Sequence, residues 1–138
     1  MKKVLILCTG NSCRSQIAEG YFRKFAGNKA EIFSAGIEAH GLNQKAVKVM
    51  DENDIDISLH SSKTINDLKE SKFDYVITVC DNAKESCPVF QAEVKTVHKN
   101  FEDPAAFKGD EEHTLQKFRQ VRDQLKSFAL EFVRLNLQ

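Results

Sequence analysis

Tryptophan is absent from this sequence of 138 residues, proline occurs twice and glycine six times. So few chain-breaking residues exclude a collagen-like or low-complexity chain. Neither sign of charge is in excess, because 20 Lys and Arg balance 20 Asp and Glu. The electrostatic footprint of a general nucleic-acid or anionic-membrane binder is therefore missing, which leaves room only for a concentrated positive site. Long hydrophobic runs are also absent. The run Val4-Leu5-Ile6-Leu7-Cys8 falls far short of the roughly 20 residues of a membrane-spanning helix. It is also too short for a signal peptide, and no small-residue cleavage site follows it. A cytoplasmic location is expected.

What is present suits one unit. The length is close to the roughly 150 residues of a typical domain, so a single domain over 1–138 is expected. A hydrophobic content of 41% supplies one sizeable core. The four cysteines, Cys8, Cys13, Cys80 and Cys87, are expected to be catalytic, redox-active or metal-binding in a reducing compartment rather than structural cross-links.

Hydrophobic patterning predicts alternating strands and helices. Residues 3–7 read as a strand buried on both faces. Ile17, Ala18, Tyr21, Phe22 and Phe25 share one face of a following helix, with Gly27 as its terminator. Residues 31–34 form a second strand, and Asn43 caps a helix carrying Ala46, Val47 and Met50. A short helix is predicted at 65–70, a strand rich in β-branched and aromatic residues at 73–79, and a weaker strand at 94–98. The last helix, about 111–137, carries an apolar stripe of Leu115, Phe118, Val121, Leu125, Phe128, Phe132 and Leu135. This alternation predicts an α/β fold in three layers, with a four-stranded parallel sheet flanked by helices. Ligands of such sheets bind beyond the strand C-termini, where Cys8, Cys80 and Asp103 converge. A strand order of 2-1-3-4 brings Cys8 and Cys80 within the roughly 4.4–6.8 Å Cα separation of a disulfide.

Cys8-Thr9-Gly10-Asn11-Ser12-Cys13-Arg14-Ser15 joins the first strand to a helix start. Gly10 and Asn11 tolerate unusual dihedrals, so residues Thr9 to Cys13 can turn their N–H groups inward as an anion nest. The helix dipole adds to the field, and Arg14 offers a bidentate fork to a tetrahedral oxyanion. The same field is expected to hold Cys8 largely as thiolate, since cations and helix N-termini lower thiol pKa values to about 3.5–7.5. Ser15 is expected to hydrogen-bond the Cys8 sulfur. Cys13, inside the cradle, suits loop support better than catalysis. The four histidines form no pattern and read as structural or solvated. Cys80 and Cys87 read as a thiol pair, with buried small hydrophobes as the alternative. Their spacing to Cys8 and Cys13 does not suit zinc, and no metal is expected.

The segment 8–16 resembles the phosphate-binding loop of low-molecular-weight protein tyrosine phosphatases. More closely it is similar to the thioredoxin-coupled arsenate reductases built on that phosphotyrosine phosphatase I-like fold. The resemblance extends through residues 34–38, 56–58, Cys80 with Cys87, 103–105 and 118–123. It implies that Cys8 attacks arsenate, that Cys80 attacks Cys8 to release arsenite, and that Cys87 moves the disulfide to Cys80–Cys87. Thioredoxin would then reduce that bond, with no bound cofactor, in arsenic detoxification. Such a relay is expected to change residues 80–90 between reduced and oxidised forms. Asp103 matches the family's acid position. Ala105-Ala106 after it, in place of aromatic residues, disfavour a phosphotyrosine substrate. Phosphatase action on a phosphomonoester or phosphotyrosine remains the alternative, and weak side activity is compatible with the same loop. Some relatives bind potassium near the counterparts of Asn11, Glu19 and Ser34. The fourth position here is Lys63, whose ammonium is expected to replace the ion. A monomer is the default.

Overall fold

A computed structural model describes residues 1–70, 72–87 and 93–138. Four strands, β1 (Lys2–Cys8), β2 (Ala30–Gly36), β3 (Tyr75–Thr78) and β4 (Lys95–His98), form one parallel sheet in the order β2-β1-β3-β4. Four α-helices accompany it: α1 (Arg14–Ala26), α2 (Gln44–Asp51), α3 (Asp81–Glu85) and α4 (Glu111–Asn136). The expected strand order and flanking helices are therefore observed. Val4 to Leu7 are completely buried because β1 lies in the sheet interior. That placement explains a run with no polar alternation.

Helices α1, α2 and α4 pack on one another, and α1 packs against β1 and β2. The starts of α2 and α4 are chemically marked. Asn43 accepts the Lys45 and Ala46 N–H groups at 2.9 and 3.2 Å, and Asp110 accepts that of His113 at 2.8 Å. Both satisfy donors that a helix leaves unpaired at its N-terminus. The core between α1, α4 and the sheet is aromatic. The Phe22 ring lies 5.5 Å from Phe132 and 6.1 Å from Phe128, and Tyr75 meets Phe132 edge-on at 5.2 Å. Arg122 of α4 is buried, with Nη1 donating to the Val49 carbonyl and to Glu52, both at 2.9 Å.

Several elements differ from expectation. The helix predicted at 65–70 is a single 3-10 turn, Ile65–Asp67, closed by reciprocal hydrogen bonds between Thr64 and Asp67. Helix α3 was not predicted. The stripe of α4 continues through Val133 instead of Leu135, which is 62% exposed. The 3.6-residue period drifts away from a strict 3-4 spacing over so long a helix.

The fully buried Phe22 provides a test of the core. Phe22→Ala is expected to lower unfolding stability by about 3–5 kcal/mol, measured by urea titration. A loss below about 1 kcal/mol would show that the aromatic cluster is not close-packed.

Candidate active site

The loop after β1 is shaped from outside. Ile37, Glu38, His40 and Asn43 donate backbone N–H groups to the carbonyls of Cys8, Thr9, Gly10 and Ser12 at 2.9–3.1 Å. With those carbonyls occupied on the outer side, the loop's own amides are left for a ligand on the inner side. Gly36 is a packing requirement of this arrangement. A Cβ there would lie 2.2 Å from the Glu38 oxygen, 2.7 Å from the Asn11 nitrogen and 2.8 Å from the Thr9 oxygen, all backbone atoms.

Asn11 is the residue that adopts the left-handed conformation, with φ of 47°. Its buried side chain fixes the turn. Nδ2 donates to Ser15 Oγ at 2.8 Å and to Ser34 Oγ at 3.0 Å. Oδ1 accepts from Gln16 and from the Lys63 N–H, both at 3.0 Å. Ser15 Oγ, expected to face the Cys8 sulfur, thus accepts from Asn11. Gly10 is small for a different reason than expected, since the His40 ring lies over it and a Cβ would meet His40 Nδ1 at 2.3 Å.

Beneath the loop, Glu19 is buried and its Oε1 accepts from Ser34 at 2.5 Å. The Lys63 ammonium does not face it. Lys63 Nζ donates to the Ser61 carbonyl at 2.9 Å. The positive charge beside Glu19 comes from Arg23, one helical turn away, at 2.9 Å. His60 lies 3.6 Å from Glu19, and burial pushes its pKa down while Glu19 opposes. The expected ammonium is therefore replaced by a guanidinium, because Lys63 contributes its backbone and not its side chain to this layer.

The loop encloses a cavity of about 220 Å³, whose lining includes Cys8, Thr9, Gly10, Ser12, Cys13 and Arg14, with His40, Asp103 and Ala105 at its walls. Arg14 Nη1 is fixed to the Phe101 carbonyl at 2.9 Å, and Nη2 lies 3.8 Å from Asp103. Its Nε is buried and has no partner among the described residues. A buried unpaired donor costs about 1–3 kcal/mol, a penalty that an oxyanion over Cys8 would relieve. Asp103 also accepts the Cys13 thiol at 3.6 Å. Burial pushes that thiol up to about 12, with the Asp103 charge adding and Arg14 opposing. Cys13 therefore stays protonated and supports Asp103. No group of three or more metal-ligating side chains occurs among the described residues, and among them no helix is long and apolar enough to cross a membrane.

Because β1 and β3 are neighbours, Cys8 and Cys80 meet. Both sulfurs are buried and are in hydrogen-bond contact. Cys80 caps α3, accepting the Ala83 N–H at 3.4 Å, and lies 3.2 Å from Thr9 Oγ1. The hydrogen bond from Cys8 pulls Cys80 down to about 5, with Thr9, the Ala83 N–H and Arg14 assisting against burial. Cys8 is pushed above the ordinary thiol range, first by donating to Cys80 and then by burial, with Arg14 opposing. Cys8 and Cys80 thus share one proton and one negative charge, with the donors around Cys80 drawing the charge toward it and the expected Cys8 thiolate being the other form of the same pair. Cys87 is half-buried just beyond α3, and all four cysteines are free thiols. Of the segment 80–90 expected to change with oxidation, residues 88–90 lie outside the described residues.

His40, Thr9 as a donor to Cys80, and the Glu19–Arg23 pair escaped the sequence reading. Only the last left a trace there, as an i,i+4 ion pair.

Fold and site together define a cysteine enzyme domain with an anion-cradling loop between strand and helix. Residues 3–135 match the family described as low molecular weight phosphotyrosine protein phosphatase, and the chain belongs to that family. It is 49% identical over 124 residues to an arsenate reductase of Oceanobacillus iheyensis, covering 90% of this chain and 89% of that protein. Two solved structures are also similar. An arsenate reductase in oxidized state shares 30% identity at a TM-score of 0.84, with 98% of each chain covered. An arsenate reductase in the phosphate binding state shares 31% identity at a TM-score of 0.78, with each chain wholly covered.

Two measurements test this electrostatic arrangement. A depressed thiol pKa means thiolate present above it and lost as pH falls through it. The ultraviolet thiolate absorbance of the reduced protein is therefore expected in full at neutral pH, fading through about 5, with the midpoint raised in Thr9→Val. Its absence at neutral pH would contradict the shared-proton pair. Because Arg23 already faces Glu19, potassium and sodium salts at equal ionic strength are expected to support equal turnover. A marked gain with potassium would show that the site beneath the loop still needs a metal ion.

Proposed function

We propose that the chain reduces arsenate to arsenite by a three-cysteine relay, with thioredoxin as electron donor. The observation that carries this reading is the buried hydrogen-bond contact between Cys8 and Cys80, with a third thiol at Cys87. A phosphatase uses the loop, Arg14 and an acid, and has no role for the second and third thiols.

Arsenate binds on the loop amides and Arg14, whose unpaired Nε gains a partner. Cys8 passes its proton to Cys80 as its sulfur bonds to arsenic. One arsenate oxygen leaves as water, taking a proton that Asp103 relays to it from solvent. Cys80 then returns its proton to an arsenic-bound oxygen and attacks the Cys8 sulfur. The S–As bond breaks with its electron pair going to arsenic, arsenite leaves, and a Cys8–Cys80 disulfide remains. Cys87 attacks Cys80, forming Cys80–Cys87 and freeing Cys8 as thiolate. The thioredoxin dithiol reduces the last disulfide and is itself oxidised. The same reading has the chain act as a monomer in the cytoplasm, where its thiols are kept reduced.

A specific observation bears on the phosphatase reading. Ala105 lines the cavity and, among the described residues, no Phe or Tyr does, so a phosphotyrosine ring finds only the His40 imidazole beside it. Small phosphomonoesters still fit the cradle, and slow hydrolysis of them is expected.

The test is NADPH consumption by the purified chain with thioredoxin and thioredoxin reductase. Arsenate-dependent oxidation is expected, abolished by Cys8→Ser. Cys87→Ser is expected to stop multiple reductive turnovers while sparing phosphate-ester hydrolysis. Brisk ester hydrolysis with no arsenate-dependent NADPH use would replace this reading with the phosphatase one.

A further inference from the structure

The relay proposed above requires α3 to come apart. Cys80 caps this helix and Cys87 follows it, seven positions on. Along a helix that spacing is about 10 Å at a rise of 1.5 Å per residue, whereas bridged Cα atoms lie about 4.4–6.8 Å apart. Helix α3 has only five residues, too few to be stable on its own. What holds it comes from outside.

Two contacts anchor its first residue to the sheet edge. The Asp81 N–H donates to Asn100 Oδ1 at 3.0 Å. The Asp81 carboxylate accepts from His98 Nε2 at 2.7 Å, and His98 Nδ1 lies 2.7 Å from Thr78 Oγ1. Thr78 and His98 are register partners at the ends of β3 and β4, so the imidazole is braced on rigid strands. Thr78, His98 and Cys87 line one cavity of about 320 Å³, which sets the third thiol beside this anchor. When Cys80 enters a disulfide with Cys8, its sulfur ceases to be the thiol cap that accepts the Ala83 N–H. The anchor at Asp81 then remains, with the Asn82 Nδ2 hydrogen bond to Thr9 Oγ1 at 3.2 Å and the buried Ala83, as a restraint on the segment that must refold.

We infer that Asp81 and His98 are positioning residues of the relay: a clasp made in the dithiol form and broken in the Cys80–Cys87 disulfide. The inference rests on the relay reading. Any contact present only in the dithiol form favours that form and makes the disulfide more oxidising. Removing the clasp therefore makes the disulfide harder to reduce.

The experiment equilibrates the full-length wild type, Asp81→Ala, His98→Ala and the double variant in dithiothreitol redox buffers. Alkylation and peptide mapping then quantify the Cys80–Cys87 disulfide. Each single variant is expected to favour the disulfide about fivefold to tenfold, a midpoint about 20–30 mV more negative at 29.6 mV per tenfold. The double variant is expected to shift no further than either single one, because both remove one interaction. His98→Gln, which retains a donor toward Asp81, is expected to recover part of the shift. Unchanged midpoints, or shifts that simply add, would overturn the clasp while leaving the relay standing. A wild type in which no Cys80–Cys87 disulfide forms under oxidising conditions would overturn both.

Discussion

The adjacency of β1 and β3 is the constraint from which the chemistry of this molecule follows. Parallel strands deliver their C-terminal ends to one edge, where the neighbouring pair here places Cys8, the last residue of β1, and Cys80, two residues beyond β3. Two sulfurs from distant parts of the sequence then share one proton in a buried site. Neither would have that property alone. Cys8 lies under a loop whose amides and Arg14 favour negative charge. Cys80 has a hydroxyl, a helix N–H and the Cys8 thiol all directed at it. The charge is drawn toward the sulfur with more donors, and the activation of Cys8 is coupled to its neighbour.

The cradle itself depends on a segment with no chemical role. Residues 37–43 take up the loop's outward carbonyls, and Asn11 ties the loop to α1, β2 and the Lys63 backbone. The buried Glu19 beneath would be costly unpaired. Arg23 and Ser34 satisfy it from within the chain. The oxyanion site is thus preorganised before any ligand arrives, with the loop amides and, among the described residues, a partnerless Arg14 Nε left to meet it.

Most of the fold was legible because it is written locally. The apolar run of β1, the stripe of α1 and the Asn43 cap are short-range patterns, and the strand-loop-helix context of residues 8–15 announced an anion site. What was missed depends on contacts across the chain. His40 reaches the cavity only because its backbone pairs with Gly10, far upstream. Helix α3 is short and polar, and its cap is a thiol rather than the usual Ser, Thr, Asp or Asn. Lys63 occupies the anticipated position, but its side chain turns to Ser61, and position alone does not give direction. The resting charge could not be assigned from sequence either, since it depends on how many donors face each sulfur.

The central claim, that Cys80 resolves an adduct formed on Cys8, is tested most directly in one turnover. Reduced Cys87→Ser protein is mixed anaerobically with arsenate, quenched by alkylation, and its disulfides mapped alongside arsenite speciation. The account predicts a Cys8–Cys80 disulfide in equal amount to the arsenite produced. Arsenite formed with Cys8 joined to Cys13, or arsenate recovered unchanged with all thiols alkylated, would contradict it.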